Sequence, residues 1–509
     1  MNAESLARTM LFFLPVIPLL GNVFILLGKY ALRRDISLGV VVAVVLAQLT
    51  AGAVLILSFV NYEGTYTAAV SQWNYSIIFA FDSNKTYFVA AYMTPLLFTL
   101  FRLHLLPGPY PRMIYLFYLA GCSGLLVTGD VFTFYVFYEV MIMAAYVLIG
   151  IKGKYFASIK YMIIGASSSA LFLGGVILLY ASGEYFGFAY VDNLSRLNSY
   201  NVRLILLLFS SAFFVKGAFF PVSAWVSTCH TATNSLISAF LSAFTIFTGI
   251  YGLYYLVLVP ADALGFDAIF QFLRILSLVT MLVPALFLFF EPHLKRVIAG
   301  TTVFTIGFIG LMLSYRMYTV AFFYIVVHGL YKTLLFLLYD HFEYDDTRQD
   351  ELRFGGTKAA FGITALAVLF TTGFYPALTY ALKYQFVGSV PGYRVVVYAS
   401  MFLVLGAFFK FRYRLVSKRE NNLFYITVLA LFAVYYATFP FSPGIPGVSF
   451  LTDVAVLLAA VFGSRWLFFR LERFSRLDTT FVFRNLNVEL LLIVVLFFVE
   501  MIFLQIVVF

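Results

Sequence analysis

The stretch FFVKGAFFPVSAW at 213–225 decides how the rest of the chain is interpreted. It is apolar except for Lys216, and Pro221 follows five residues later. Apolar runs flank it, so the lysine falls within a predicted membrane span, where a charged group is costly and usually paired or functional. A proline inside such a helix frees a backbone carbonyl that a neighbour or water must satisfy. This combination suits an ion path through a bilayer; the simpler alternative is a lysine that extends its amine to the membrane surface.

The composition places the chain among helical membrane proteins. Of its 509 residues, 63% are hydrophobic and 11% are charged, and the mean hydropathy is +0.96. A soluble protein of this length could not bury so much apolar surface, so we expect an all-α, polytopic transmembrane bundle. Cys122 and Cys229 show no metal-ligand spacing, and we expect no disulfide between them. The N-terminus runs directly into the first span, which predicts no cleaved signal peptide.

Apolar segments of spanning length predict sixteen spans, or fourteen if two of them are merged or lie at the interface. We divide the chain into N-terminal helices (1–111), a first five-helix repeat (112–258), a second five-helix repeat (259–410) and C-terminal helices (411–509). The predicted spans are 8–29, 37–61, 86–104, 112–129, 131–150, 160–182, 202–225, 234–258, 268–290, 296–315, 318–339, 359–384, 393–410, 423–440, 449–470 and 486–508.

The basic residues orient these spans. With the N-terminus outside, 23 of the 33 Lys and Arg residues fall in inside loops and six in outside loops, as the positive-inside rule predicts. Lys85 is one of the outside residues and Lys410 one of the inside residues. The formal charge of +10 therefore reflects orientation in a cytoplasmic membrane and not binding of nucleic acid. Both termini are predicted on the outer side.

A few ionisable residues fall within spans. Because a charge there is costly, these residues are the candidates for functional or paired positions. Arg274, Asp453 and Glu500 are interpreted as structural pairs or as interfaces to other subunits. The acidic run DHFEYDDTRQDEL at 340–352 is interpreted as a solvated linker between halves, with a docking surface for a partner as the alternative. The remaining ionisable residues in spans are Glu139, Lys216, Lys332 and Lys383.

Two groups of five spans indicate an internal repeat. Because five is odd, the second group enters the membrane from the opposite side, which is the condition for an inverted repeat. The fourth span of the first group carries Lys216 and Pro221, and the fourth span of the second carries Pro376 and Lys383. We therefore predict two helices interrupted near these prolines, each with a lysine beside the break.

Four stretches, in order and at characteristic spacing, resemble one known family. They are GDVFTFYVFYEVMIMAAYVLIG (129–150), KGAFFPVSAWVSTCHTATNSLISAFLSAF (216–244), LKRVIAGTTVFTIGFIGLML (294–313) and FYIVVHGLYKTLLFLL (323–338). The family is that of the antiporter-like subunits shared by respiratory complex I, Mrp-type cation/proton antiporters and energy-converting membrane-bound hydrogenases. The resemblance covers approximately residues 90–410.

This resemblance implies a mechanism. Glu139 and Lys216 would form an intramembrane pair, and a change in their separation would alter how readily the lysine holds its proton. The resemblance also implies a hydrated polar axis that continues from this pair at mid-membrane. We expect no metal and no cofactor in this chain. The residues that continue the axis are His328, Lys332 and Lys383, with His230, Thr245 and Thr248 as further polar residues of the path.

The chain departs from the family pattern in the middle of this axis. Phe247 stands where the family has a second lysine, and Tyr324 stands where a further histidine is common. Ser223 replaces the histidine after the proline, and Ser227 belongs to WVS in place of WLP. Waters and threonines would have to bridge this gap, or the chain is a partly silent relative.

Three functions follow as hypotheses. The first is an ion-translocating subunit (proton, sodium or both) of a multisubunit redox complex. It would have no redox centre of its own, and its partners would be antiporter-like and small transmembrane subunits and, through the complex, peripheral iron–sulfur subunits. The second is a subunit of a Mrp-type antiporter driven by an ion gradient. The third is a scaffold that has lost conduction, which the missing lysine favours and the retained charged residues disfavour.

Overall fold

The chain is almost entirely helical in the computed structural model. The structure describes residues 3–58, 64–69, 77–181, 194, 199–344, 353–374, 377–415, 422–438, 454–460, 462–463, 466–467, 470 and 485–506. Eleven helices within these ranges are long and apolar enough to cross a membrane. The predicted class, a polytopic transmembrane helical bundle, is therefore confirmed.

The first of two compact units comprises residues 1–218, 232–272 and 490–509. A two-stranded antiparallel hairpin precedes its third helix, with Tyr66 opposite Phe81. The elements that begin in this unit are α1 (Ala3–Tyr30), α2 (Ser37–Ser58), β1 (Tyr66–Ala69), β2 (Ile78–Phe81), α3 (Ser83–Thr99), α4 (Pro109–Val127), α5 (Val131–Gly150), α6 (Tyr155–Ala181), α7 (Ser199–Lys216), α9 (Ser235–Ala263) and α10 (Asp267–Phe290).

The second unit comprises residues 219–231 and 273–489 and contains a three-stranded sheet. Its strand β4 pairs antiparallel with β3 and parallel with β5. Its elements are α8 (Ala224–Ala232), α11 (Leu294–Ser314), α12 (Tyr318–Tyr339), β3 (Glu343–Tyr344), β4 (Arg353–Gly356), α13 (Lys358–Thr372), α14 (Leu378–Ser389), α15 (Arg394–Phe409), β5 (Arg412–Leu415) and α16 (Asn422–Thr438), and the last helix, α17 (Leu486–Ile506), passes into the first unit.

Polar caps at the helix starts explain where several spans begin. Asp130 accepts a hydrogen bond from the backbone N–H of Thr133 at 2.7 Å and caps α5. Asn234 caps α9 in the same way through Ile237, at 2.9 Å. Each cap satisfies a backbone donor that the helix leaves free at its first turn, where no water would be available in the membrane.

The helix that carries Lys216 is interrupted. Helix α7 ends at Lys216, and α8 begins at Ala224, so Pro221 lies in non-helical chain between them. Within the second unit, the backbone N–H of Phe220 donates to the hydroxyl of Thr280 at 3.0 Å, which satisfies one donor of the broken segment.

A second interruption separates α13 from α14. Helix α13 ends at Thr372, and Gly373 adopts a left-handed conformation with φ of 65° that glycine accepts without steric cost. Helix α14 then begins at Leu378 and carries Lys383. Pro376 lies outside the described residues.

The strands are the main addition to the predicted architecture, which was all-α. The ladder between β4 and β5 joins residues 353–356 to 412–415, and such distant partners leave no local signal in the sequence. Most of the predicted linker at 340–352, and Asp453, lie outside the described residues. Arg274 is not isolated: its guanidinium lies 4.1 Å from the ring centre of Tyr315 and donates to the Ser314 carbonyl at 3.4 Å.

Candidate functional site

Lys216 is buried in the first unit, with 3% of its surface exposed. Its ammonium donates to the hydroxyl of Tyr161 at 3.0 Å. The same ammonium lies 5.4 Å from the ring centre of Tyr138 and 5.1 Å from that of Tyr161, close enough for cation–π attraction. Helices α5 and α6 thus supply an aromatic, hydroxyl-bearing surrounding for the cation at the end of α7.

The tyrosines around Lys216 are themselves held in place. The Tyr138 hydroxyl pairs with Ser168 at 2.6 Å, and the Ser168 hydroxyl lies 2.7 Å from the backbone carbonyl of Ala212 in α7. This chain of contacts links α5, α6 and α7 one turn before Lys216. The sequence indicated Lys216 but not these partners, because tyrosine and serine in apolar spans are too common to single out.

Glu139 directly follows Tyr138 on α5. It is half-buried and interacts electrostatically with Lys216. The helix around it has an exposed stripe that includes Phe132, Val136 and Met143. The two residues that the resemblance pairs are therefore in one unit and within electrostatic reach, with Glu139 near the outward face of that unit.

The position that lacks the family lysine is closely packed. Phe247 is fully buried in α9, and Thr245 and Thr248 are buried beside it. The Thr245 hydroxyl is hydrogen-bonded to Tyr118, and the Thr248 hydroxyl donates to the Thr245 carbonyl at 2.7 Å. The helix takes a π-turn at Leu241–Thr245, a local widening that often marks functional sites. Here Thr245 and Thr248 form a small polar group with Tyr118.

Lys332 and His328 form a second buried cluster, in the second unit. The Lys332 ammonium donates to the backbone carbonyl of Ile298 at 2.6 Å and to the hydroxyl of Thr301. The His328 ring nitrogen Nδ1 lies 2.8 Å from the hydroxyl of Tyr331, which in turn lies 3.2 Å from the Thr305 hydroxyl. Helices α11 and α12 therefore hold a lysine and a histidine among neutral hydrogen-bonding groups.

Lys383 and His230 are buried among aromatic rings in the same unit. The Lys383 ammonium lies between 5.0 and 5.1 Å from the ring centres of Phe374, Tyr380 and Tyr398. The His230 ring stacks on Phe336, with ring centres 4.7 Å apart and planes at 13°. These surroundings stabilise a cation on Lys383 through ring faces and set the orientation of the His230 ring.

Four cations that the sequence placed in loops are buried instead: Lys85, Lys160, Lys295 and Lys410. Lys85 is fully buried at the start of α3, where its ammonium donates to the carbonyls of Ala80 at 2.7 Å and Thr128 at 2.6 Å. Lys410, just after α15, donates to the carbonyls of Leu288 and Phe289 at 2.8 and 3.0 Å. The charge-counting rule treats every residue at a span edge as solvated, so it could not identify these buried lysines.

The arrangement places buried amines beside neutral hydrogen-bonding groups. Lys216 and Lys332 donate to hydroxyls and a carbonyl, which are neutral groups that satisfy a protonated amine. An amine in such surroundings changes its protonation readily when a nearby charge moves. Among the described residues, no cluster of His, Cys, Asp or Glu could hold a metal ion.

Comparisons with known proteins agree with this geometry. Residues 128–373 match the family model described as NADH:quinone oxidoreductase/Mrp antiporter, TM. The chain is 30% identical over 242 residues to a Na(+)/H(+) antiporter subunit of Alkalihalophilus pseudofirmus, covering 45% of this chain and 47% of that protein. It is 29% identical over 274 residues to putative antiporter subunit mnhD2 of Staphylococcus aureus, covering 51% and 54%. The matches thus span about half the length of these curated relatives.

Two solved structures share the fold over nearly the whole chain. One is the archaeal membrane-bound sulfane sulfur reductase, with a TM-score of 0.75, 19% identity, and coverage of 90% of this chain and 99% of that one. The other is the Mrp complex from Dietzia sp. DQ12-45-1b, with a TM-score of 0.68, 20% identity and coverage of 96% and 100%. The chain is a multi-pass membrane protein whose segment 128–373 matches the NADH:quinone oxidoreductase/Mrp antiporter transmembrane family model.

Proposed function

We propose that this chain is an ion-translocating, antiporter-like subunit of a multisubunit membrane redox complex. It would move protons, sodium ions or both while partner subunits carry the electron-transfer chemistry and its cofactors. The observation that carries the proposal is the buried Lys216 at the end of an interrupted helix, bonded to a neutral hydroxyl with Glu139 in electrostatic reach. These surroundings satisfy a protonated amine and make its charge depend on a carboxyl group that can itself titrate.

Glu139 and Lys216 are proposed as the pair that begins translocation. When Glu139 is ionised and near, it stabilises the protonated lysine, and when its influence weakens, the buried lysine releases the proton. His328, Lys332 and Lys383 of the second unit, with His230, would continue the path. Thr245 and Thr248 would serve it in the first unit as hydrogen-bonding groups that do not ionise.

The pair is tested with Glu139→Gln, Lys216→Met and the double variant, each in the assembled complex reconstituted into proteoliposomes. We expect each single variant to assemble and to lose ion pumping, with the double variant no worse than either. Lys152→Met changes an exposed lysine in the loop between α5 and α6 and is the matched control, with native pumping expected. If the pair were structural, the single variants would fail to assemble and the charge-balanced double variant would recover assembly and transport.

A Mrp-type antiporter subunit is the second candidate, and the names of the curated relatives favour it. The two candidates differ in their partners. A redox complex would copurify with a peripheral iron–sulfur or nickel subunit, together with antiporter-like and small transmembrane subunits. A Mrp-type complex would contain only membrane subunits and would exchange cations when an ion gradient is imposed. A non-conducting scaffold would assemble normally and show no dependence of transport on Lys216.

The proposed setting is a cytoplasmic membrane with both termini on the outer side. The support is the distribution of basic residues in the sequence, with 23 on the predicted inside and six on the outside. The bilayer would cover the exposed apolar stripes of the spanning helices, and no interaction with nucleic acid is expected.

A further inference from the structure

The last helix inserts a carboxyl group into the first unit. Glu500 is 1% exposed and lies on the buried stripe of α17 together with Ile493, Leu496 and Leu504. The opposite face of the helix is exposed and apolar. A carboxyl group on the buried side of a membrane-spanning helix is costly, so its surroundings must compensate for the lost hydration.

Two neighbouring serines of α7 surround this carboxyl. The Ser211 hydroxyl lies 2.6 Å from Oε2 of Glu500, and the Ser210 hydroxyl contacts Oε1. Within the described part of the chain, the interactions of this carboxyl are with these hydroxyls, and no lysine, arginine or histidine interacts with it. A permanently ionised carboxylate would be expected to have a cation beside it, as buried charges generally do.

The two charge states of Glu500 differ in which group donates the hydrogen of each contact. The Ser210 oxygen also lies 2.6 Å from the carbonyl of Leu206, which can only accept a hydrogen bond. A hydroxyl has one hydrogen, so Ser210 cannot donate to Leu206 and to Glu500 at once. If Glu500 is protonated, its own hydrogen makes the contact with Ser210, and the Ser210 hydrogen remains available for the backbone carbonyl of Leu206.

The ionised state needs only a small rearrangement. Rotation of the Ser210 hydroxyl from Leu206 to Oε1 gives the carboxylate two donors, one from each serine. The Leu206 carbonyl keeps its place in the hydrogen bonding of α7. The site therefore accepts both charge states. The carboxyl can take up one proton on Oε1 and release it again with no other covalent bond formed or broken, while the Ser210 hydroxyl changes its acceptor.

We propose that Glu500 is a proton-exchanging residue of the first unit, contributed by the C-terminal helix and connected to α7 through Ser210 and Ser211. This inference rests on the proposed function, and it adds a residue from outside the family segment at 128–373. Ser211 precedes Lys216 by five residues of the same helix, about 7.5 Å along its axis. A charge on Glu500, which contacts Ser211, is weakly screened in apolar surroundings, so its protonation state would influence Lys216.

The proposal is tested in the assembled complex with two measurements. The first is the infrared carbonyl stretch of a protonated carboxyl, followed as pH is raised. The second is the initial rate of ion pumping in proteoliposomes. Glu500→Gln keeps the size and neutral hydrogen bonding of the protonated side chain but cannot exchange a proton. Ser211→Ala removes one hydroxyl contact, and Ser123→Ala, at a buried serine of α4 away from this group, is its matched control.

We expect a band in the native protein that disappears with rising pH and is absent from Glu500→Gln, together with loss of most of the pumping in that variant. Ser211→Ala should shift the band and lower the rate, while Ser123→Ala leaves both unchanged. Native pumping by an assembled Glu500→Gln complex, or a band that no pH change affects, overturns the proposal. Should Glu500→Gln fail to assemble, an unchanged band and rate in Ser211→Ala overturn it instead.

Lys216→Met separates this inference from the proposed function. If native and Lys216→Met complexes transport ions equally, the proposed function fails, and the infrared band alone decides whether Glu500 exchanges a proton. If Lys216→Met abolishes pumping while Glu500→Gln and Ser211→Ala behave as native, only the inference about Glu500 fails.

Discussion

Phe247 shows what the chain has in place of a second lysine. Its ring is fully buried, next to a group of hydroxyls formed by Thr245, Thr248 and Tyr118. An aromatic side chain at this density leaves no volume for a charged amine and the water that would solvate it. Proton movement past this point would have to use the neighbouring hydroxyls and transient water.

We therefore predict that Phe247→Lys lowers ion flux in reconstituted complexes. The added ammonium would be buried without a carboxylate partner, which costs on the order of 3 kcal/mol on membrane insertion scales. Phe247→Met is the control, because it keeps an apolar side chain of adaptable shape and should retain most of the flux. A higher flux in Phe247→Lys would mean instead that the path requires a titratable group there.

Lys410 is a buried cation outside the spans, and its protonation couples to stability. Burial lowers the pKa of Lys410 to about 7, and the nearby carboxylate of Glu291 partly opposes this shift. In an unfolded chain, a lysine pKa is about 10.4. Between these two pH values the unfolded state binds more protons, so stability rises with pH by up to about 1.4 kcal/mol per pH unit. Below about pH 7 both states are protonated, and the full cost of the buried charge applies.

The corresponding prediction is that the melting temperature of the detergent-purified protein increases between about pH 7 and pH 9. Lys410→Met should flatten this increase, because it removes the group that titrates differently in the two states. Lys358→Met, at an exposed lysine of α13, should keep the native slope. Equal slopes in all three proteins would show that Lys410 does not govern the pH dependence.

At the scale of elements, the crossing of α7 and α9 fixes the position of Lys216. Gly249 of α9 faces the backbone of α7 so closely that an added Cβ would lie 2.5 Å from the Gly217 nitrogen and 2.9 Å from the Phe213 carbonyl oxygen. Small residues permit such close backbone approach between membrane helices. The end of α7 is thus held by backbone contact directly beside the lysine.

Gly249→Ala is therefore expected to displace the end of α7, lowering both the melting temperature and ion pumping. Overpacking of this kind costs about 1–3 kcal/mol. Gly174→Ala in α6 is the matched control, since its Cβ would meet nothing closer than a Leu208 methyl group at 3.7 Å. Similar behaviour of the two variants in thermal unfolding and transport assays would contradict this role for the crossing.

The helices and the interruption at Pro221 were predictable from the sequence, and the strands were not. The predicted spans 131–150 and 318–339 coincide with α5 and α12, because long apolar runs end at polar or capping residues there. The interruption at Pro221 was predictable because proline cannot donate a helical hydrogen bond. The sheet of β3, β4 and β5 was missed because its pairing joins chain segments far apart in sequence.

The candidate site was predictable in its charged residues and not in their partners. Intramembrane lysines are rare enough to be noticed, and the resemblance supplied Glu139 and His328 as well. Tyr161 and Thr301, which hold the two lysines, are residue types that also fill ordinary spans. Glu500 was interpreted as a structural or interface residue, and only the geometry of Ser210 and Ser211 indicates a further role.

At the scale of the whole molecule, the topology can be measured directly. The described residues contain two cysteines, both buried, so single cysteines introduced at exposed positions would report accessibility with little background. We predict that Lys154→Cys reacts with an impermeant reagent from the inside and Tyr200→Cys from the outside of the membrane. Helix α6 begins directly after Lys154, and Tyr200 opens α7, the next long helix. Labelling of both from the same side would contradict the sixteen-span topology.

The parallel ladder of the second unit suggests where a segment of this chain could be exchanged to make chimeras. Strand β4 leads into α13, and β5 follows α15, so the segment 357–411 leaves and rejoins the same short ladder. The ladder therefore brings the two ends of this segment close together. A segment from a related chain grafted between Gly356 and Arg412 would join the ladder at the same two points, and it would also have to keep the bonds of Lys410 to the carbonyls of Leu288 and Phe289. Chimeras made at these two junctions would show whether ion selectivity depends on the segment that contains Lys383 and its neighbouring aromatic rings.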